Sequence, residues 1–254
     1  MTAPLLLLLL AATARSPCPE YTEALRRGDE RHAAFAFTEA ADAYRMALEL
    51  DPEAPEARLR LSEVLNERGE AASGAEARAD FDEALRFAQA LRASWPEEPE
   101  GHYQVAATLA NLIAFRDGPE KVRLSREIDE NARRALSVDP CFAPAYIVLG
   151  ITYRELSGLG WLARGFASSL FGGLPKGSME DAERLLGRAV DLDPDDPFAH
   201  YQLGLTLEKR KRPGDAAAEL RTALALPPRA ARDLRLRADA TERLARLAKE
   251  KARP

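Results

Sequence analysis

Seven consecutive residues, Gly172-Gly173-Leu174-Pro175-Lys176-Gly177-Ser178, come nearest to the residue types that hold a ligand chemically. Glycine-turn amides and one lysine are what a bound phosphate needs. Here the lysine precedes its glycine and no strand leads into the run, so amide cradle and lysine reach would both be misplaced. The histidines are His32, His102 and His200, and the last two occupy equivalent places in a repeated pattern where a bulky packing residue is expected. Helix contact explains them better than metal ligation. No HExxH, GxSxG or CxxC occurs, and Asp and Glu are spread along helical stretches as i,i+4 partners. The sequence therefore predicts no catalytic group, no metal site and no bound cofactor.

Charge is the other chemical resource. Residues 229–254 carry nine Lys or Arg against four Asp or Glu, and Lys209-Arg210-Lys211-Arg212 forms a basic turn nearby. This end reads either as a solvated cap with a basic loop, or as a patch for an acidic protein or an anionic membrane surface. Nucleic acid is not expected, because no aromatic residues interleave the basic ones. The net charge of −5 over 254 residues is modest and calls for no polyanion. Cys18 and Cys141 are too few for a disulfide framework and leave one bridge or two free thiols open.

The elements that carry these residues are helices. Alanine, leucine, arginine and glutamate dominate, with 46% hydrophobic and 7% aromatic residues, a composition that favours helix throughout. Tyr146, Leu149, Gly150 and Tyr153 fit the pattern W-x2-L-G-x2-Y with tyrosine in the first slot, and Ala182, Leu186, Ala189 and Pro194 supply its second half. The pattern repeats at His200, Leu203, Gly204, Leu207, Ala216, Leu220, Ala223 and Pro228. This is the tetratricopeptide helix–turn–helix signature. Small residues stand where paired helices approach most closely, and each proline stops a second helix.

Prolines 52, 96, 140, 194 and 228 end successive repeats, at spacings of 44, 44, 54 and 34 residues. The predicted fold is all-α: a right-handed α-solenoid of five such hairpins, at 21–54, 55–98, 99–142, 143–196 and 197–230, with a capping helix at 231–251. Residues 19–254 are thus one domain, and five hairpins exceed the three that stacking needs. Leu236, Ala240, Leu244 and Leu247 give the last helix one apolar side, as expected of a lid.

Stacked repeats turn their first helices towards a concave surface. Projecting the template onto those helices points Arg60, Tyr103, Gln104, Asn111, Arg154, Tyr201 and Gln202 inward. They read as partner-binding residues or as packing between neighbouring helices, and both readings stay open. The lysine–asparagine–lysine–arginine clamp for a C-terminal carboxylate is not reproduced.

Between Tyr153 and Ala182 lies an insertion, 157–177. Leu162, Phe166 and Leu170 recur every four residues, which predicts a short helix from Gly160 to Phe171, before Ser178, Glu180 and Asp181 begin the next. Trp161, Phe166 and Phe171 either plug a gap between repeats or line a groove for a peptide, lipid or partner helix.

Leu149-Gly150, Trp161, Arg164, Ala167, Leu170-Phe171, Pro175, Ser178, Glu180 and Ala182 together resemble the regulator of microtubule dynamics family. Glu56 to Leu61 and the helix centred on His102 are similar too, so the resemblance covers residues 21–250. It implies a tetratricopeptide protein. Eukaryotic members of that family are implicated in microtubule association and tethering between organelle membranes, and bacterial relatives have no known role. The resemblance carries over no microtubule-binding residue.

Residues 1–14 contain an apolar run, Leu5 to Ala12, too short to span a bilayer. With Ala12-Thr13-Ala14 behind it, the run reads as a secretory signal, although no Lys or Arg precedes it. Export, to a periplasmic or other extracytoplasmic location of a bacterium, is the expectation; the alternative is a chain held at the membrane by an uncleaved N-terminus. Arg15-Ser16-Pro17 does not suit lipid attachment at Cys18. The functional reading is a non-catalytic scaffold presenting a concave groove to a protein or peptide. Its rivals are a carrier enclosing an apolar small molecule or lipid near Trp161, and an enzyme of unrecognised type, which would need clustered, strongly shifted carboxylates.

Overall fold

Prolines mark where helices start and stop. The computed structural model describes residues 18–159 and 173–251. Its helices pair as α1 (Pro19–Ala33) with α2 (Phe37–Leu50), α3 (Pro55–Ala71) with α4 (Gly74–Ser94), and α5 (Pro99–Leu112) with α6 (Gly118–Val138). A 3-10 turn, Ile113–Phe115, joins the last two. Next come α7 (Ala143–Ser157) with α8 (Met179–Leu192) and α9 (Pro197–Lys209) with α10 (Pro213–Ala225), then a final helix α11 (Ala231–Lys251). No strand occurs among the described residues. Each hairpin packs on the next, and the first helices α3, α5, α7 and α9 touch one another in succession. This is the expected all-α tetratricopeptide solenoid, with the first helices as its inner layer.

Pro52, Pro96, Pro140 and Pro194 stand two residues beyond α2, α4, α6 and α8, where a missing N–H and a ring clash forbid another turn. Six residues after each proline, a long side chain donates back to that proline's carbonyl. Arg58 does so at 2.8 Å, His102 at 2.9 Å, Tyr146 at 3.1 Å and His200 at 2.9 Å. Each first helix thereby locks the turn that leads into it. The slot asks for reach and a donor, which is why arginine, tyrosine and two histidines share it. Asp51 and Asp139 brace the same turns by accepting the N–H two residues on, at 3.2 and 2.8 Å, as Asx-type turns do.

The glycines of the signature fit a close approach. A Cβ on Gly150 would lie 2.5 Å from Leu186 Cγ, and one on Gly204 would lie 2.9 Å from Leu220 Cγ. The wide spacing of the second and third repeats goes into length: α4 and α6 have 21 residues each, against 14 in α2 and 13 in α10. The helix expected at Gly160–Phe171, with Trp161 and Phe166, lies outside the described residues, as do residues 1–14. Beyond the insertion, Ser178 and Asp181 form a reciprocal capping box at the start of α8, which satisfies two amides.

The last helix does more than cap. Leu236, Ala240 and Leu247 are buried, and Leu244 packs beside them against α9 and α10. Its first turns also touch α3, three hairpins earlier in the chain. The interior of the superhelix is therefore crossed by the chain's own C-terminal helix.

Candidate functional site

The inner face is built from α3, α5 and α9, with α11 lying over it. Glu63, Glu67 and Glu70 recur at helical spacing on one side of α3, and the neighbouring first helices hold them. Gln104 of α5 donates to Glu63 at 3.0 Å, Asn111 donates to Glu70 at 3.4 Å, and His32 of α1 meets Glu67 at 3.1 Å. All three glutamates are half-buried. Desolvation pushes the Glu63 carboxyl up to about 7, against the pull of His32. Burial also raises Glu70 and Asp196, the latter at the N-terminus of α9. Hydrogen bonding to Glu67 draws His32 upward. The wall is thus acidic and short of water, an arrangement that costs free energy until a cation meets it.

Two arginines of α11 lie at its Glu70 end. Arg235 pairs with Glu70 at 3.3 Å. Arg232, three residues before it, lies over the Phe198 ring with 4.4 Å from guanidinium carbon to ring centroid, a cation–π geometry. Burial works against the charge of Arg232, but Tyr103, Glu70, Asp233 and Asp196 more than offset it and hold its pKa above the usual value. Further along, Tyr201 of α9 donates to Asp239 of α11 at 2.6 Å. Arg243 bonds to Glu208 and Asp239, and Arg246 bonds to Glu208.

The residues projected inward from the sequence fall into three groups. Tyr103, Asn111 and Tyr201 border the region that α11 covers, with Tyr103 set edge-on to Phe142 at 5.4 Å. Gln104, Arg154 and Gln202 are buried between neighbouring first helices. Arg154 donates to the Gln202 side chain at 2.8 Å and to its carbonyl at 3.1 Å. Arg60 pairs with Asp29 at 2.8 Å, at the contact of the second hairpin with the first. Trp161 and Phe166 lie outside the described residues. The template gave no hint of Glu63, Glu67, Glu70, Arg232, Arg235 or Phe198. Acidic residues at i, i+4 and i+7 on α3 and basic ones at i and i+3 on α11 were the signal available.

The basic end is largely matched within the chain. Arg229 pairs with Asp193, Lys209 with Glu155, and Arg210 and Arg212 with Glu183. Cys18 and Cys141 are exposed free thiols. Among the described residues, no group of His, Cys, Asp and Glu is placed to hold a metal ion, and no helix is long and apolar enough to cross a membrane. In the glycine–lysine run, Gly173 accepts from Arg126 at 2.7 Å and Ser178 caps α8. An open cleft of about 400 Å³ between α10 and α11 is lined chiefly by Pro213, Ala217, Leu244 and Leu247.

Several solved structures share this architecture. TTC0263, a thermophilic tetratricopeptide protein of Thermus thermophilus, aligns with 89% of this chain and 99% of its own at a TM-score of 0.68 and 22% identity. PilW, a type IV pilus biogenesis factor, aligns over 92% of this chain and 90% of its own at a TM-score of 0.57 and 17% identity. At such identities the likeness shows the fold. In sequence, regulator of microtubule dynamics protein 3 of Xenopus laevis is 28% identical over 112 residues, which is 44% of this chain and 24% of that protein's length. The family model for regulator of microtubule dynamics protein 1–3 matches residues 24–248. The chain belongs to the regulator of microtubule dynamics protein 1–3 family.

Proposed function

We propose that this protein is a non-catalytic scaffold whose inner face binds a helical or extended segment of another protein. One observation carries the reading: the inner face already holds a helix, α11, through charge pairs, a cation–π contact and tyrosine hydrogen bonds. Those are the contacts by which interfaces recognise polypeptide. The tetratricopeptide fold supports the same reading, since stacked hairpins present extended concave area. The apolar run at residues 5–12 supports export, so the partner would be met outside the cytoplasm.

The experiment is photo-cross-linking from the inner face in the native host. A photoreactive residue replaces Asn111, or as a control exposed Arg188 on α8, and mass spectrometry identifies the products. A protein captured from Asn111 and absent from Arg188 supports the scaffold. Lipid co-purifying with the protein, and no protein adduct, would favour the carrier reading built on Trp161 and Phe166.

A further inference from the structure

The contact between α11 and α3 is poorly made for a permanent lid. Asp233, in the first turn of α11, is 2% exposed. Its Oδ2 accepts the N–H groups of Arg229 and Ala230 at 2.8 and 2.9 Å, which fixes the start of α11, but its Oδ1 has no hydrogen-bond partner, and neither has Arg232 Nε. A buried polar group left unpaired costs free energy, because it has given up water without gaining a partner. Leu234, in the same turn, is 49% exposed, and the Arg235 side chain that reaches Glu70 is 44% exposed. The apolar grip of α11 lies further along, at Leu236, Ala240 and Leu247. Between α3 and α5, Asn66 is 7% exposed and donates to Thr108 at 2.8 Å, while its Oδ1 also lacks a partner. A core selected only for stability would close these gaps. A surface shaped for a different occupant leaves them.

We propose that the surface formed by Glu70 of α3 and Phe198 of α9 is the site for a partner helix bearing two arginines three residues apart, and that the first turns of α11 fill it as an internal stand-in until that partner displaces them. This rests on the scaffold reading above and adds the chemistry of the partner and the means by which the site is kept closed. The spacing follows from α11 itself, where Arg232 and Arg235 sit on one face and reach Phe198 and Glu70. Arginine suits the site better than lysine, since its planar guanidinium stacks on Phe198 while keeping donors for carboxylates. While the stand-in is docked, the apparent affinity for a partner falls by the fraction of molecules with the site open.

The test uses the full chain and a fluorescent peptide of residues 229–251 as a model of the partner. The peptide is expected to bind Arg235→Glu protein about two- to fivefold more tightly than wild type, because that change weakens the internal competitor and leaves the wall intact. A peptide carrying Arg232→Glu and Arg235→Glu should bind neither protein, and adding Glu70→Gln to the Arg235→Glu chain should abolish the gain. Arg235→Gln serves as a second variant if the charge reversal disturbs folding, judged by circular dichroism. Equal binding of both peptides, or no binding to either variant, overturns the proposal. If the peptide fails but Asn111 still cross-links a protein in cells, the scaffold stands and only the stand-in is wrong. If both fail, the scaffold reading falls with it.

Discussion

Arg235 of α11 and Glu70 of α3 form an ion pair at 3.3 Å although 165 residues separate them in the chain. The pair joins the last helix to the second hairpin, so it reports on whether the superhelix closes over its own interior. Pairs this exposed are worth about 0.5–1 kcal/mol. Arg235→Glu and Glu70→Arg are each expected to lower stability by about that amount, and the double exchange to recover most of it. Urea unfolding supplies the free energies, and hydrogen exchange of the first turns of α11 shows where they act. Strictly additive effects would mean that the two side chains do not meet.

Glu63 gives the inner face a pH dependence. Its carboxyl is pushed up to about 7 in the folded chain by desolvation, against roughly 4.3 in an unfolded one. A raised acid is stabilising while protonated in the fold, so its contribution is present below about pH 4.3 and lost as pH rises through about 7. Glu63→Gln should flatten stability between those values and raise it at pH 8 by about 1–2 kcal/mol. Gln104 can still donate to the new amide oxygen. An unchanged slope in denaturation curves across this range would show that Glu63 is better solvated than its surroundings indicate.

His200 is raised for a different reason, because its charged form is favoured, and its pH dependence runs in the same direction. Its Nδ1 lies 2.7 Å from Glu219 and its Nε2 lies 2.9 Å from the Pro194 carbonyl. With an acceptor on each nitrogen, the hydrogen bond to Glu219 leads the causes that raise the pKa above the usual value. Its stabilisation is fully present below about pH 6.5 and is lost as pH rises through the raised folded value. Proton NMR titration should find His200 above the ordinary range, and Glu219→Gln should lower it. A His200 titration indifferent to Glu219 would contradict this pairing.

Two glycines should respond to alanine with opposite signs. Gly150 faces Leu186 with no room for a Cβ, so Gly150→Ala is expected to cost about 1–2 kcal/mol through overpacking. Gly187, inside α8, has nothing within 4 Å of where a Cβ would sit, so Gly187→Ala should gain up to about 1 kcal/mol of helix propensity. Thermal unfolding of both variants separates close helix approach from simple flexibility.

The hairpins were legible because their determinants are local. A proline two residues past a helix, a donor six residues later and a small residue at the crossing all lie within one repeat. The site was less legible because projection onto a template distinguishes inward from outward and no more. Gln104, Arg154 and Gln202 lie buried between neighbouring first helices, where the repeats absorb them. The acidic wall is not legible in the sequence, because glutamates at helical spacing resemble any solvated face until neighbours desolvate them. That α11 returns to α3 depends on small rotations accumulated over the intervening repeats, which no single stretch of sequence encodes.

The closure of the inner face by α11 can be measured as one distance. Spin labels at exposed Ala71, beside Glu70, and exposed Ala238, on α11, in a chain with Cys18 and Cys141 changed to serine, report it by pulsed electron paramagnetic resonance. A single short, narrow distribution is expected in the free protein, as for two helices in contact. A long, broad distribution would show α11 away from α3 and would contradict the closed inner face on which the functional reading depends.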